Sequence, residues 1–202
     1  MNDKTKEFWE NRYSEREYAY GEQPNDFFQN ELEKLKPASI LLPAEGEGRN
    51  AVFASKQAWD VIAFDLSTMA KIKAFSLAKK NEVDISFKVS SVLDFQSDRK
   101  FDVIALIYAH FDADIRIKSH QHLINLLKPG GVLIFEAFSK KQLGYKSGGP
   151  KDLKMLFSID EMKSEFSGLT IQYLEELRIN QKEGKYHQGK SSVIRMVGKN
   201  LT

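Results

Sequence analysis

The sequence contains no cysteine among its 202 residues. Disulfide bonds and thiolate metal sites are therefore excluded, and the absence suits a reducing cytoplasm. The sequence also lacks a strong excess of charge, because 30 lysines and arginines stand against 28 aspartates and glutamates, a net charge of +2. This balance gives no electrostatic reason to expect binding to nucleic acid or to an acidic membrane.

Long hydrophobic runs are also missing. No segment approaches the roughly 20 apolar residues that a membrane-spanning helix needs, and the polar N-terminus MNDKTKEFWENRY lacks the apolar core of a signal peptide. We therefore predict a cytoplasmic protein with no membrane partner. No linker divides the chain, so the predicted domain covers residues 1–202, with an N-terminal helical cap at about 1–36.

Strands alternate with helices through the first two thirds of the chain. Short apolar strands are predicted at 39–42, 60–64, 84–89, 101–108 and 132–138. This alternation predicts an α/β fold with a parallel sheet and helices on both faces. The last third differs. Two extended segments flank the polar stretch NQKEGKYHQGK, which predicts an antiparallel hairpin with a long loop at the edge of the sheet.

A glycine-containing loop, within LLPAEGEGRN at 41–50, follows the first predicted strand. Asp65 ends the second strand about twenty residues after the loop, which is the spacing at which a carboxylate reaches a ribose. Strand, loop, helix and acid together predict a nucleotide-binding half that holds an adenosine-type ligand with a free 2′-hydroxyl.

The two glutamates of this loop favour a ligand without phosphate. A dinucleotide would place its pyrophosphate against the loop and the following helix, where Glu45 and Glu47 would add like charge. S-adenosylmethionine has no phosphate and presents a sulfonium and an ammonium group, which carboxylates suit. Solvent-facing side chains remain the alternative for both glutamates, and more so for Glu47.

Several motifs, in their order and spacing, resemble those of a class I S-adenosylmethionine-dependent methyltransferase. They are AEGEGRN, VIAFDLS, SSVLDF, FDVIALIYAHF and LKPGGVLIFEAF. YAYGEQPNDF, GGP and GKYHQGK resemble the branch related to the tellurite-resistance and thiopurine methyltransferases. The resemblance covers nearly the whole chain. It implies a Rossmann-like three-layer sandwich whose seven-stranded, mostly parallel sheet has the order 3-2-1-4-5-7-6, with strand 7 antiparallel.

The resemblance also implies the cofactor, S-adenosylmethionine, its product S-adenosylhomocysteine, and a set of contacts to them. The cofactor-binding residues that it implies are Glu45, Gly46, Gly48, Asn50, Asp65, Leu66, Ser91, Val92, Ile107 and Tyr20. Asp65 would hold the ribose and Leu66 would pack on the adenine. One departure concerns the first motif. The usual Asp and first Gly are replaced by Leu42 and Ala44, which makes Glu45 the nearest replacement acid.

The candidate catalytic residues are Tyr108 and His110. His110 follows the fourth strand, and an imidazole titrates near neutrality, so it could act as a general base or contact the substrate. A histidine that caps the next helix, expected over 112–127, is the alternative, and Tyr108 could equally pack in the core. Methyl transfer can also proceed through alignment and desolvation alone, with no committed base.

Three further groups of residues have two interpretations each. His187 in KYHQGK, with Tyr186 and Arg195, could reach over the pocket and bind an oxyanion, but a polar loop favours a solvent-exposed histidine. Tyr145 and SGGP at 147–150 could form a lid, or a surface turn. Phe8, Trp9 and Tyr13 are expected to pack rather than line a site.

His120 and His122 face different sides of a helix, so no metal is predicted.

The function best supported is an S-adenosylmethionine-dependent methyltransferase that acts on a small-molecule acceptor, without nucleic acid, as a monomer or weak dimer. An NAD(P)-dependent oxidoreductase is the first alternative, which the spacing of Asp65 permits and the glutamate-containing loop opposes. A protein that binds the cofactor without turnover is the second, because a catalytic base is not certain.

Overall fold

The computed structural model describes residues 3–201. Its strands are β1 (Ser39–Pro43), β2 (Asp60–Asp65), β3 (Ser86–Val89), β4 (Phe101–Ile107), β5 (Leu127–Phe138), β6 (Thr170–Glu183) and β7 (His187–Lys199). Its α-helices are α1 (Asp3–Tyr13), α2 (Asp26–Leu32), α3 (Arg49–Lys56), α4 (Thr68–Lys80), α5 (Arg116–Ile124) and α6 (Ile159–Glu165). None of these helices is both long and apolar enough to cross a membrane.

The seven strands form one sheet in the order β3-β2-β1-β4-β5-β7-β6. The pairs among β1 to β5 are parallel, whereas β7 runs antiparallel to both β5 and β6. The predicted fold class and strand order are therefore confirmed. The order reverses between β1 and β4, the topological switch point at which ligands bind outside the carboxyl ends of the strands.

Alternating side chains of the buried strands supply two cores, one on each face of the sheet. Leu41 of β1 faces a core closed by α5 and α6. Its neighbours Ile40 and Leu42 face the other core, to which α2, α3 and α4 contribute. β1 is thus buried along its whole length because both of its faces are covered.

Local signals fix where several helices begin. Ser67 caps α4, since its hydroxyl accepts a hydrogen bond from the Ala70 N–H at 3.0 Å. Ser158 and Glu161 form a reciprocal capping box at α6. The helix expected over 112–127 is shorter, because α5 begins only at Arg116, after a turn at 112–115.

The C-terminal hairpin differs from the sequence-based expectation in its loop. Strand pairing continues to Glu183 and His187, so the connection comprises only residues 184–186 rather than the whole polar stretch. Gly184 supplies a positive φ of 58° in this tight turn. The polar residues of the hairpin are therefore strand residues with defined faces, and His187 is buried.

Candidate active site

A cavity of about 750 Å³ lies over the carboxyl ends of the parallel strands. Its floor comprises residues that end or follow β1, β2, β4 and β5, and its roof comprises α1 and the tip of the β6–β7 hairpin. Pockets of roughly 300–1,000 Å³ are typical of sites for drug-sized ligands. The cavity therefore has room for a nucleotide-sized ligand and stands at the switch point of the sheet.

Glu45, which follows β1, lines the cavity and also caps a helix. Its Oε1 accepts hydrogen bonds from the N–H groups of Asn50 and Ala51, each at 2.8 Å, at the start of α3. Gly48, the N-cap residue of α3, offers no side chain for this purpose. Burial raises the pKa of Glu45 to about 7, although these hydrogen bonds favour the charged form.

Glu47 does not face solvent, which corrects the alternative stated for it. Its side chain is buried, pairs with Lys73 of α4, and accepts a hydrogen bond from the Ala19 N–H at 2.7 Å. Glu47 does not line the cavity. The second glutamate of the loop thus fastens the N-terminal segment to α4.

The backbone of the loop explains its small residues. Ala44 has a φ of 51°, in the left-handed region that glycine usually occupies. A Cβ on Gly46 would lie 2.8 Å from the Tyr13 hydroxyl oxygen, and one on Gly48 would lie 2.6 Å from the Ala74 Cβ. Both glycines therefore permit α1 and α4 to approach the loop closely.

Asp65, at the end of β2, lines the cavity beside this loop. Its Oδ2 accepts a hydrogen bond from the Gly46 N–H at 2.9 Å, and its Oδ1 accepts one from the Ser67 N–H at 3.0 Å. Burial raises the pKa of Asp65 to about 6 despite these bonds. Each oxygen retains a second lone pair, so the carboxylate can accept further hydrogen bonds from a ligand.

Seven of the ten sequence-predicted cofactor residues line the cavity: Glu45, Asn50, Asp65, Leu66, Val92, Ile107 and Tyr20. Gly46, Gly48 and Ser91 do not. The Ser91 hydroxyl bonds the Asp94 carboxylate at 2.5 Å within a turn, and the neighbouring Ser90 lies at the cavity instead.

Both candidate catalytic residues line the cavity. Tyr108 has a φ of 52°, and its hydroxyl accepts a hydrogen bond from the Gln181 amide at 2.6 Å. His110 stacks on Phe138, with ring centroids 5.9 Å apart. Burial lowers the pKa of His110 to about 4. Neither of its ring nitrogens has a well-aligned hydrogen-bond partner within residues 3–201. The nearby Met155 backbone favours the charged form of the ring, but burial has the larger effect.

The N-terminal helix forms much of the roof, which corrects the expectation that its aromatic residues only pack. Phe8, Trp9 and Tyr13 line the cavity. Glu10 fastens the helix: its carboxylate accepts hydrogen bonds from the Thr68 N–H at 2.8 Å and the Met69 N–H at 3.0 Å, at the start of α4.

The hairpin contributes a residue that sequence reasoning placed in solvent. His187 is 5% exposed and lines the cavity together with Tyr186. Arg195 does not join them, because it pairs with the buried Glu136 at 2.5 Å. Arg12 of α1 lies over the Tyr186 ring, 3.6 Å from its centroid. The signal that could have located His187 is Gly184, a turn glycine that permits a short connection.

Lys146, Gly148, Gly149 and Pro150 also line the cavity, whereas Tyr145 does not. The predicted lid segment is thus a wall of the site. Tyr18 also lies outside it, with its hydroxyl bonded to the Lys73 carbonyl at 3.2 Å.

Residues 40–131 match a family model described as a methyltransferase domain. No curated protein matches the chain significantly. Among solved structures, similarity extends to a protein studied in the conversion of a disulfide bond into a thioacetal group during echinomycin biosynthesis. That protein is 18% identical, with a TM-score of 0.77, over 98% of this chain and 93% of the other.

Two further structures show the same fold. TehB from Haemophilus influenzae is 14% identical, with a TM-score of 0.73, over 88% of this chain and 62% of its own. The N-methyltransferase NodS from Bradyrhizobium japonicum WM9, in complex with S-adenosylhomocysteine, is 14% identical, with a TM-score of 0.72, over 98% and 99%. Residues 40–131 therefore match a methyltransferase domain, and the three solved structures share the fold that the resemblance implies.

Proposed function

We propose that the cavity binds S-adenosylmethionine and that the protein transfers its methyl group to a small-molecule acceptor. The observation that carries the proposal is a pair of carboxylates that line one cavity, Glu45 just after β1 and Asp65 at the end of the adjacent parallel strand β2. Asp65 suits the ribose hydroxyls, and Glu45 suits the cofactor's ammonium group. A pyrophosphate at the same place would meet both negative charges.

The remaining predicted contacts divide according to polarity. Leu66 and Val92 offer apolar surface for the adenine and Ile107 for the part of the cofactor near the transferred methyl, while Asn50 stands at the start of α3 beside Glu45. When bound, the cofactor supplies an activated methyl group on a sulfonium. The protein's part is to align the acceptor and exclude water from the reaction.

A small acceptor follows from the form of the site. α1 and the hairpin tip enclose the cavity from above. The hairpin tip is held to the segment that follows α1, since the Tyr186 N–H donates a hydrogen bond to the Ala19 carbonyl at 3.3 Å. Cofactor and acceptor together must fit within about 750 Å³. A macromolecular acceptor would have to present a single narrow group through this roof.

Calorimetry with S-adenosylhomocysteine tests the proposal. We expect Asp65→Ala to weaken binding about 10- to 100-fold, which corresponds to the roughly 1.5–3 kcal/mol of a hydrogen bond to a charged group. Asp94→Ala is the matched control, because Asp94 is a turn carboxylate that does not line the cavity. Thermal unfolding of both variants verifies that they are folded.

Two results would overturn the proposal. One is no binding of S-adenosylhomocysteine at millimolar concentration by the wild-type chain. The other is tight binding of NADH, monitored by its fluorescence, which would favour the oxidoreductase alternative. Unchanged affinity in Asp65→Ala would refute the role of that carboxylate alone.

A further inference from the structure

A histidine and a glutamate face each other across the tight turn of the hairpin. His187 and Glu183 are paired in the register of β6 and β7. The His187 Nδ1 lies 3.2 Å from the Glu183 Oε2. His187 is buried, and its ring borders the cavity among aromatic side chains. An imidazole oriented by a carboxylate is one of the recurring ways in which enzymes position a base.

The charge state of Glu183 determines which nitrogen of His187 carries the proton. Arg49 donates to the Glu183 Oε2 at 3.0 Å, and the Asn25 amide donates to its Oε1 at 2.9 Å. Although burial opposes ionisation, Arg49 and His187 lower the pKa of Glu183 to about 2. An ionised carboxylate can only accept hydrogen bonds, so the Nδ1 of His187 must be the donor. In the neutral ring, the Nε2 therefore bears the lone pair.

The surroundings of His187 leave this lone pair available. No other residue from 3 to 201 forms a hydrogen bond with the Nε2. The ring is held by Tyr20, Tyr108 and Phe138, whose centroids lie 4.4, 4.6 and 5.1 Å from its own. Gly148 makes room for it, since a Cβ there would lie 2.8 Å from the His187 Cδ2. The imidazole is thus fixed in orientation and bare on the side away from Glu183.

His110, the histidine singled out from the sequence, lacks these features. Among residues 3–201, no carboxylate orients its ring and neither nitrogen is well paired. Its nearest partners are the face of Phe138 and the charge of His187. His110 therefore suits a wall of the acceptor site, and His187 is the better-prepared base.

We propose that the Nε2 of His187 is the general base that accepts the proton of the acceptor's nucleophilic atom, that Glu183 is the residue that positions it, and that the acceptor is a weakly acidic O–H or S–H compound. This inference rests on the proposed function. Although Glu45, Asp65, Asp112 and Asp152 also line the cavity, Arg12 and Arg49 disfavour positive charge on His187 itself, so a cationic acceptor beside this ring is disfavoured and one that develops negative charge is favoured.

In an acceptor X–H, a lone pair on X forms the bond to the methyl carbon while the carbon–sulfur bond of the cofactor breaks and its electron pair stays on sulfur. The X–H proton moves to the Nε2 of His187, which gives an imidazolium paired with the Glu183 carboxylate. Solvent then takes this proton, and the neutral imidazole is restored.

The groups that face His187 set the pH dependence of this step. Glu183 favours the charged imidazole, whereas Arg49 of α3, Arg12 of α1 and His110 disfavour it. Burial has the largest effect, and the pKa of His187 lies below its ordinary value. The base is therefore in its active, neutral form at neutral pH, and we expect kcat/KM to fall as the pH decreases through this lowered pKa.

The test compares acceptors that need a base with acceptors that do not. The oxygen pair is 4-methylphenol and 4-nitrophenol, and the sulfur pair is 2-phenylethanethiol and 4-nitrobenzenethiol. The nitro compounds are largely ionised at pH 8. In whichever of the two pairs reacts, we expect His187→Gln to lower kcat/KM by about 100-fold or more for the protonated acceptor. For the ionised acceptor of the same pair, we expect a loss of less than tenfold. Glu183→Gln should show the same selectivity more weakly.

Two controls separate catalysis from folding and from cofactor binding. His122→Gln replaces a histidine outside the cavity and should leave both rates unchanged. S-adenosylhomocysteine should bind His187→Gln within twofold of the wild type. Nitrogen-15 NMR of the histidine rings should show the Nδ1–H form of His187 in the wild type and a smaller share of it in Glu183→Gln, whose neutral amide oxygen is the weaker acceptor, a change that a purely structural role does not require.

Each remaining outcome overturns the inference. Equal losses for ionised and protonated acceptors exclude a base role, and an Nε2–H ring excludes the assigned lone pair. Binding of S-adenosylhomocysteine without turnover of any of the four acceptors overturns the acceptor class while the cofactor assignment stands. Failure of S-adenosylhomocysteine to bind the wild type overturns the proposed function first.

Discussion

Replacing Glu45 by glutamine separates the two roles that its carboxylate combines. The helix-capping bonds from the N–H groups of Asn50 and Ala51 both end on the Oε1. A glutamine oxygen can accept both of them, so α3 should keep its cap. The charge, by contrast, is lost. Glu45→Gln therefore reports the energy of burying a negative charge at the cavity, largely free of the capping contribution.

The magnitude and sign follow from the raised pKa of Glu45. An increase from the ordinary 4.5 to about 7 corresponds to about 3 kcal/mol. The folded state holds this proton more tightly than the unfolded state, so the free energy of unfolding falls as the pH rises from about 4.5 to about 7. Because Glu45 keeps some contact with solvent in the cavity, 3 kcal/mol is an upper bound.

Urea unfolding without cofactor, repeated from pH 4.5 to 8.5, measures this difference. We expect Glu45→Gln to match the wild type near pH 4.5 and to exceed its free energy of unfolding by up to about 3 kcal/mol at pH 8. Glu82→Gln, at an exposed position, is the charge-matched control and should show no such trend. A difference that does not change with pH, or a wild type more stable at pH 8, would refute the reasoning.

Two further predictions concern how the loop and the roof are fastened. Gly48→Ala should lower the free energy of unfolding by about 2–5 kcal/mol, since it combines a φ of 89° with a contact of 2.6 Å to Ala74. Adding Ala74→Gly should restore only part of this loss in urea unfolding, and full restoration would show that the backbone is unstrained. Glu10→Gln should cost about 1 kcal/mol at pH 7. Although burial opposes ionisation, hydrogen bonds from the start of α4 lower the pKa of Glu10, so this difference should vanish as the pH falls through that lowered pKa, and a difference that does not change with pH would contradict the assigned contact.

The fold could be predicted because its signals are local and repeated. β1 and β4 are short apolar segments bounded by polar turns, and the end of β2 is marked by an acid followed by a capping serine. Parallel pairing, handedness and the switch point then follow from general rules for α/β sheets. That Glu45 and Asp65 line one cavity could be predicted for the same reason, since both lie within one strand–loop–helix–strand unit.

The polar residues that proved structural were harder to interpret. Sequence alone could not distinguish a loop glutamate that meets a ligand from one that fastens the chain. Glu45 caps α3 while lining the cavity, and Glu47 is buried against Lys73 and the Ala19 backbone. The partners of Glu47 lie 26 and 28 residues away, so no periodicity within the loop reveals them.

The part of the cavity beside the hairpin tip shows why this limit is physical. Residues far apart in the sequence meet there: the ring centroids of Tyr20 and His187 lie 4.4 Å apart, and Lys185 pairs with Glu15 at 2.8 Å. Contacts over such separations depend on where the finished sheet places its last hairpin. In sequence, a three-residue turn and a long polar loop look alike, although one buries His187 and the other exposes it. The cofactor could therefore be inferred from the sequence, whereas the base that we assign to the acceptor required the folded hairpin.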